Sequence, residues 1–443
     1  YTRITVAADA PTPLYYYCTN HSGMGSYVNI GNNVSINNDG TLPKLSFTPV
    51  SDLSVNSVIF VDIPSGSFTK IDGTDIAATN WTFTTSELFE AWVWGINLSQ
   101  NLGQNNEVKY SSPVQLPGTN WKEPPYIYAS STFWIKGDNT LWAIGANTKG
   151  QLGQNNLTQR SSPVQISGTT WRSAAEFDSG NGVATKTDGT LWIWGNNESG
   201  QLGQNLNADN VDLSSPVQIP GTTWGTVLSG GFHSCHTVKT DGTLWAWGSN
   251  AYGNLGQNDI TQRSSPVQIP GTWSKINGGD GSMFGIKTDG TLWSWGKNGD
   301  GQLGQNNIVK YSSPVQIGSG TNWIQSSGGN NNYLHLKTDG TLWAIGSGNY
   351  GQLGQNANGA GADRSSPVQI PGTTWKQAAG RHYSAYAVKT DGTLWTWGSG
   401  NNGAHGQNNL TEYSSPVQVP GTTWMEVSES SGWQTTVAFK ALS

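Results

Sequence analysis

The sequence predicts an all-β fold: a seven-bladed β-propeller closed by a composite blade from both termini and preceded by small N-terminal β modules. Three observations carry this. First, Leu-Gly-Gln-Asn starts at Leu102, Leu152, Leu202, Leu255, Leu303 and Leu353 and returns as His405-Gly-Gln-Asn408, at intervals of 48 to 53 residues. A unit of that length is a small β-sheet, and seven such sheets suit a closed ring. Second, Ser-Ser-Pro-Val-Gln also occurs seven times, from Ser111–Gln115 to Ser414–Gln418, and so does an aromatic strand, at Trp92, Trp142, Trp192, Trp245, Trp293, Trp343 and Trp395. Third, the array starts half a unit late and stops half a unit early.

One copy, residues 375–419, gives the order of elements. Trp375 opens it, an irregular stretch with Gly380 follows, and Ser384-Ala-Tyr-Ala-Val388 is a short run of strand formers. Asp391-Gly392 supplies the positive φ angles of a two-residue hairpin. Thr393-Leu-Trp-Thr-Trp397 is the return strand, alternating large with small or polar residues at the period of two. Gly398 stops it, a Gly/Asn-rich loop carries Gly406-Gln-Asn408, and Ser414–Val419 completes the unit. Its proline fits the start or outer edge of a sheet. Each unit therefore holds about four strands. Of the 22 tryptophans only Trp81 lies outside the repeats, and such large side chains belong in the core between sheets.

The ends of the array indicate how it closes. Ala91-Trp-Val-Trp94 has no opening tryptophan or Lys-Thr-Asp-Gly turn before it, whereas Trp424 opens a unit that ends at Thr435–Lys440. Residues 424–440 and 91–116 together make one blade, which removes two sheet edges.

Gly230-Gly-Phe-His-Ser234, Asp241-Gly-Thr-Leu-Trp-Ala-Trp-Gly248 and Asn250 to Gln257 resemble the regulator of chromosome condensation repeat. The resemblance implies seven-bladed propellers with blade closure shared between the termini, over residues 86–443. For function it implies a binding platform put to several uses: nucleotide exchange on a small GTPase, inhibition of β-lactamases, or a part of large signalling proteins.

Charged residues are only 11% of the chain, the net charge is −6, and no basic arm or patch stands out. Nucleic acid is therefore not an expected partner. Lys186, Lys239, Lys287, Lys337 and Lys389 occur one per repeat beside an aspartate, and read as parts of solvated hairpins. No paired carboxylates, Gly-x-Ser-x-Gly elbow or phosphate loop suggests an enzyme. His233-Ser-Cys-His236 reads as structural, since Cys235 and His236 point to opposite faces of a strand. Cys18 and Cys235 lie in different modules and imply no disulfide framework.

The first 85 residues lack the repeat. The chain begins at Tyr1, so a processed product or part of a longer polypeptide is expected, and no apolar run of membrane-spanning length or signal peptide is present. Leu14 to Met24 resembles the last strand and ligand loop of cupredoxins, with Cys18, His21 and Met24 as soft and borderline copper ligands. Such a site needs a second histidine, and the other five all lie in the repeats. Residues 1–25 are therefore read as a strand-and-turn relic, with no metal or cofactor assigned. Residues 26–85, with strands at Ser57–Ile63 and Asn80–Thr85, resemble a short bacterial immunoglobulin-like module. This texture is similar to bacteriophage fibres and tail-associated adhesins.

Function is expected where the repeat varies. The segments before the hairpins offer Tyr126, Phe232 and His233, Phe284, Tyr333, Arg381, His382 and Tyr383, and Trp433 at comparable points. They are expected to converge on one face near the axis, where aromatic and amide groups suit a glycan or a protein. The resulting expectation is a non-enzymatic virion or cell-surface module. Its N-terminal part would join other virion or surface proteins without inserting in a membrane, and its propeller would recognise a host glycan or protein. An architectural or decorating role is one alternative. A regulator or inhibitor of a protein partner such as a small GTPase is another.

Overall fold

In a computed structural model the chain divides into two units, residues 1–87 and 88–443. The structure describes six strands between residues 14 and 84 by their backbone, and residues 89–441 except 119, 123–129, 178–179, 206–210 and 429–434. In the first unit Gly25–Val28, Leu14–Cys18, Val58–Ile63 and Thr79–Thr84 form one antiparallel sheet in that order, and Val34–Asn37 pairs with Lys44–Phe47. Leu14–Cys18 thus shares a sheet with strands from residues 26–85. His21 and Met24 lie outside the described residues.

The second unit is a seven-bladed propeller. Blades I to VI span residues 121–166, 171–219, 224–269, 273–316, 323–370 and 375–419, and blade VII combines 424–441 with 89–115. Blade III shows the plan: an inner strand Trp224–Gly230, a second strand Ser234–Lys239, a third strand Leu244–Gly248 and an outer strand Arg263–Ile269, all antiparallel. Gly242 turns the hairpin between second and third strands at φ 82°, an angle that glycine adopts without a Cβ clash. The inner strands of successive blades pack on one another around the axis. Each proline of Ser-Ser-Pro sits in an outer strand, where a missing N–H costs no ladder bond. In blade VII, Thr435 lies opposite Gly95 and Ala441 opposite Phe89, so the C-terminal strand pairs with the first aromatic strand of the array.

The apolar clusters lie between blades rather than within them. Leu191, Ile193, Leu202 and Ile219 of blade II, for example, pack against Trp224, Leu228 and Trp247 of blade III. Leu-Gly-Gln-Asn fastens these boundaries. The leucine is buried, and the glutamine Nε2 donates to the carbonyl of the last glutamine of its own outer strand, as Gln257 does to Gln268 at 3.1 Å. The asparagine takes φ between 54° and 60° in all seven copies. This turns its backbone N–H onto the first Ser-Ser-Pro serine of the next blade: Asn105 to Ser161, Asn155 to Ser214, and so on to Asn408, which donates to Ser111 and closes the ring at 2.7 Å. A second tie crosses five boundaries, where Trp94, Trp194, Trp247, Trp295 and Trp397 donate their indole N–H to the backbone just before the buried leucine or histidine, at 2.6 to 2.8 Å. His405 replaces that leucine in blade VI and bonds Thr396 and the Gly398 carbonyl instead.

The hairpin lysines correct the sequence reading. They are half-buried, not solvated. Each ammonium lies over two indoles, one from the opening tryptophan and one from the return strand, at 3.7 to 5.3 Å from the ring centres. Lys136 and Lys440 do the same in blades I and VII. The neighbouring aspartate is held by the turn: Asp188 accepts from Thr190 N and Oγ1, and Thr190 Oγ1 accepts from the Trp192 indole. Lysine, aspartate, threonine and tryptophan thus form one unit, whose cation–π contacts are each worth about 0.5–2 kcal/mol.

Three histidines are buried in the propeller. Desolvation holds His335 down to about 3, and His236 and His405 down to about 4. Both His335 nitrogens are buried without a hydrogen bond among the described residues, and the ring lies 5.0 Å from Phe284 and 5.9 Å from Trp323.

Two measurements test these features. Asn258→Val places a β-branched residue at φ 60° and should cost about 1–2 kcal/mol in denaturant unfolding, whereas Asn258→Gly should cost far less. Equal losses would instead assign the role to the side-chain amide, which accepts from Ser313 Oγ. The folded histidine values lie below the ordinary 6.5, so the stability of the neutral rings is complete above pH 6.5 and falls as pH drops toward 4 and 3. The expected loss is about 1.4 kcal/mol per pH unit for each ring. His335→Phe should therefore move the acid-unfolding midpoint, followed by tryptophan fluorescence, to lower pH; an unmoved midpoint would exclude His335 from the acid transition.

Candidate binding face

The turns between inner and second strands and the long loops between third and outer strands emerge on one face of the propeller. Around the axis these turns touch through their backbones. A Cβ on Gly231 would strike the Gly279 carbonyl, one on Gly279 the Gly329 carbonyl, and one on Gly329 the backbone of Arg381. Only glycine fits at such approaches, so the tips that follow, Phe232-His233, Asp280-Gly281, Asn330-Asn331 and His382-Tyr383, are presented at equivalent places.

The tips meet residues from the long loops. The Phe232 ring lies 4.8 Å from Tyr252, and Tyr383 lies 4.6 Å from Tyr350. His382 stacks on Tyr383 at 3.7 Å with the rings 24° apart. Asp280 pairs with Lys297 at 2.5 Å, and that ammonium also reaches Asn331 Oδ1 at 3.3 Å. Lys310 lies 5.0 Å from the Tyr252 ring. His382 is held down to about 4, chiefly by burial, with Asp280 opposing and Lys297 assisting, so its ring is neutral at pH 7. Tyr350 is exposed, and Phe232, His233, His382 and Tyr383 are half-buried. Blades III to VI therefore present an aromatic surface around one ion pair.

The sequence-predicted residues divide accordingly. Phe232, His233, His382 and Tyr383 lie on this face. Phe284 and Tyr333 do not: both are fully buried, their rings 4.1 Å apart, and Tyr333 donates to the Ser282 carbonyl at 3.1 Å. Burial also pushes the Tyr333 phenol well above its usual range. Three residues make each of these turns in blades III to VI, so Met283 and Phe284 fall within the second strand of blade IV, and Tyr333 within that of blade V. Counting from the glycine at the end of each inner strand identifies Asp280, Asn330 and Asn331 as the true counterparts, a signal the sequence holds. Tyr252 and Tyr350, one residue before a loop glycine, were missed for want of knowing that the loops fold back over the turns. Tyr126 and Trp433 lie outside the described residues.

Arg381 is the second correction. Its side chain is fully buried and leaves the face to enter the junction with blade VII. Its guanidinium donates to the Thr435 carbonyl and to Ser428 Oγ at 2.8 Å, and lies 5.2 Å from the Tyr386 ring. Burial lowers it to about 10, which leaves it cationic at neutral pH. Arg381 thus latches blade VI to the closing blade. Among the described residues no group of three or more His, Cys, Asp or Glu could hold a metal ion.

The regulator of chromosome condensation repeat model matches residues 138–182, 188–236, 241–284, 289–334, 339–386 and 391–439, more than half of the chain. The chain belongs to this repeat family. Each family repeat starts at a hairpin aspartate, takes the third and outer strands of one blade and runs into the inner and second strands of the next, so the repeat bridges two blades. Among solved structures, Prp20p from Saccharomyces cerevisiae is 19% identical, covers 81% of this chain and 92% of its own, and superposes with a TM-score of 0.69. Human WBSCR16 is also 19% identical, with 80% and 99% covered and a TM-score of 0.71. At these identities the likeness is one of fold. No curated protein matches the chain.

Arg381→Ala would remove a buried charge and strand the Thr435 and Ser428 acceptors. The expected cost is about 1–3 kcal/mol for each acceptor left unpaired, read in thermal or denaturant unfolding. A loss below about 1 kcal/mol, the scale of an exposed pair, would refute the latch.

Proposed function

We propose that the chain is a non-enzymatic, protein-binding propeller whose partner docks on the face formed by the turns and long loops of blades III to VI. The observation that carries this reading is the cluster of Phe232, Tyr252, Tyr350, His382 and Tyr383 around the Asp280–Lys297 pair. Rigid aromatic groups beside a few charges are the composition that concentrates binding energy at protein interfaces. The rings are braced by their neighbours, so little side-chain entropy is lost on binding. The family and fold support the same reading. The yeast neighbour is described for its binding to Gsp1p and histones, and a related structure shows Kap60 bound to yeast RCC1 (Prp20). The low charge and net −6 argue against a nucleic-acid partner.

These considerations favour the partner-binding alternative over the virion or cell-surface module. That setting was inferred from residues 1–85, whereas the family matches fall within 138–439.

The test is affinity capture with the intact chain, a Tyr350→Ala/His382→Ala/Tyr383→Ala variant, and Thr187→Ala as an exposed control on the hairpin side. All three should show matching circular dichroism and melting. A partner should be retained by the intact chain and the control but lost, on the order of 100-fold in affinity, from the triple variant. Equal retention by all three would reject this face.

A further inference from the structure

A second kind of site lies away from this face, along the outer strands where consecutive blades meet. At the boundary of blades I and II, a groove of about 320 Å³ is lined by Gln154, Asn155, Ser167, Lys186, Trp192 and Ser215, among others. At the next boundary a groove of the same volume is lined by Gln204, Asn205, Lys239, Trp245 and Ser265. The volume is that of a small-ligand site, and the groups repeat from one groove to the next because the blades do.

The chemistry of the lining is specific. Each groove has one charged lining residue, a lysine, and no carboxylate. Lys186 is held by two indoles at 4.0 and 4.7 Å and Lys239 by two at 4.3 and 4.4 Å, so each ammonium is fixed in place. Neither lysine takes part in an ion pair found among the described residues. Asp188 and Asp241 do not line the grooves: hydrogen bonds from Thr190 and Thr243 chiefly hold them below the usual carboxylate range, and the charge of Lys186 or Lys239 adds a smaller part. Around the ammonium stand amide and hydroxyl groups and the half-buried Trp192 or Trp245.

We propose that these grooves bind an acidic saccharide, one hexuronate residue per groove. The lysine takes the carboxylate, the amides and serines take ring hydroxyls, and the indole meets the apolar face of the sugar. A single cation matches a single negative charge, whereas a phosphate dianion is met by several cations or a cluster of backbone N–H groups. This site is independent of the protein-binding face, and neither stands or falls with the other.

Titration calorimetry of the full chain with trigalacturonic acid tests the proposal, with maltotriose and inorganic phosphate as comparators. The acidic trimer should bind, and raising salt should weaken it because the contact is charged. Lys186→Gln combined with Lys239→Gln should weaken it by on the order of 10-fold or more, the loss expected for a charge-assisted hydrogen bond. Salt dependence in the unaltered chain gives a readout that does not rely on the variant folding. The proposal is overturned if the acidic trimer fails to bind, if maltotriose binds as tightly, if phosphate alone competes for the site, or if the folded double variant binds unchanged.

Discussion

The ring depends on one contact made seven times: a backbone N–H, turned outward by an asparagine in the left-handed region, donating to a serine carbonyl of the next blade. It requires three things together. The preceding leucine or its replacement anchors the loop, the glutamine ties it to its own outer strand, and the asparagine holds φ near 55°, where most residues are strained. Asn408 to Ser111 is the copy that joins the two ends of the array, and the Thr435–Ala441 strand and Arg381 reinforce that same boundary. Since the apolar clusters lie between blades, losing one strap exposes core from two of them. The strength of the ring is that of its boundaries.

Much of the fold was legible because its signals are local and repeated. The place of the hairpin follows from Asp-Gly, although the loop holds three residues, Thr390 to Gly392, with only the glycine at positive φ; the aromatic strand follows from its alternation, and the composite blade from a missing half at each end. The lysines were misread for a physical reason. A lysine beside an aspartate in a turn looks solvated in one dimension, and only the return of the strand brings two indoles beneath its ammonium. Phe284 and Tyr333 were misplaced because the turns end sooner than the sequence suggests: both residues lie past the tips, in second strands that are buried on both faces. Arg381 was assigned to the face by its position before the hairpin, while its environment, a set of backbone and hydroxyl acceptors at the closing boundary, is formed by residues about fifty positions later.

The composition has the same origin. With 11% of residues charged, most loop polar groups must be satisfied by neutral partners. Side-chain amides do this with both a donor and an acceptor: Asn147 donates to the Asn156 and Thr158 carbonyls while its Oδ1 accepts from Leu152 N–H. Asn97 and Asn298 repeat the pattern in their own loops. An ion at such part-buried positions would carry a desolvation cost that an amide avoids. Amide-rich loops are the cheaper way to order a long connection.

That economy sets the remaining charges apart. Where polar needs are met by amides, a charged side chain marks either a boundary or a surface. Arg381 marks the closing boundary, and the seven lysines mark the hairpins, stacked on indoles that also pack the blade edges. The Asp280–Lys297 pair serves no repeated purpose, since the equivalent turn tips in blades III, V and VI carry Phe232-His233, Asn330-Asn331 and His382-Tyr383. A group that differs among positions under the same folding constraint is free of that constraint. The face where these tips converge is thus distinguished from the flank by variation, and the flank by repetition. The ligands proposed for them differ accordingly, an irregular protein surface for the face and an acidic saccharide for the flank.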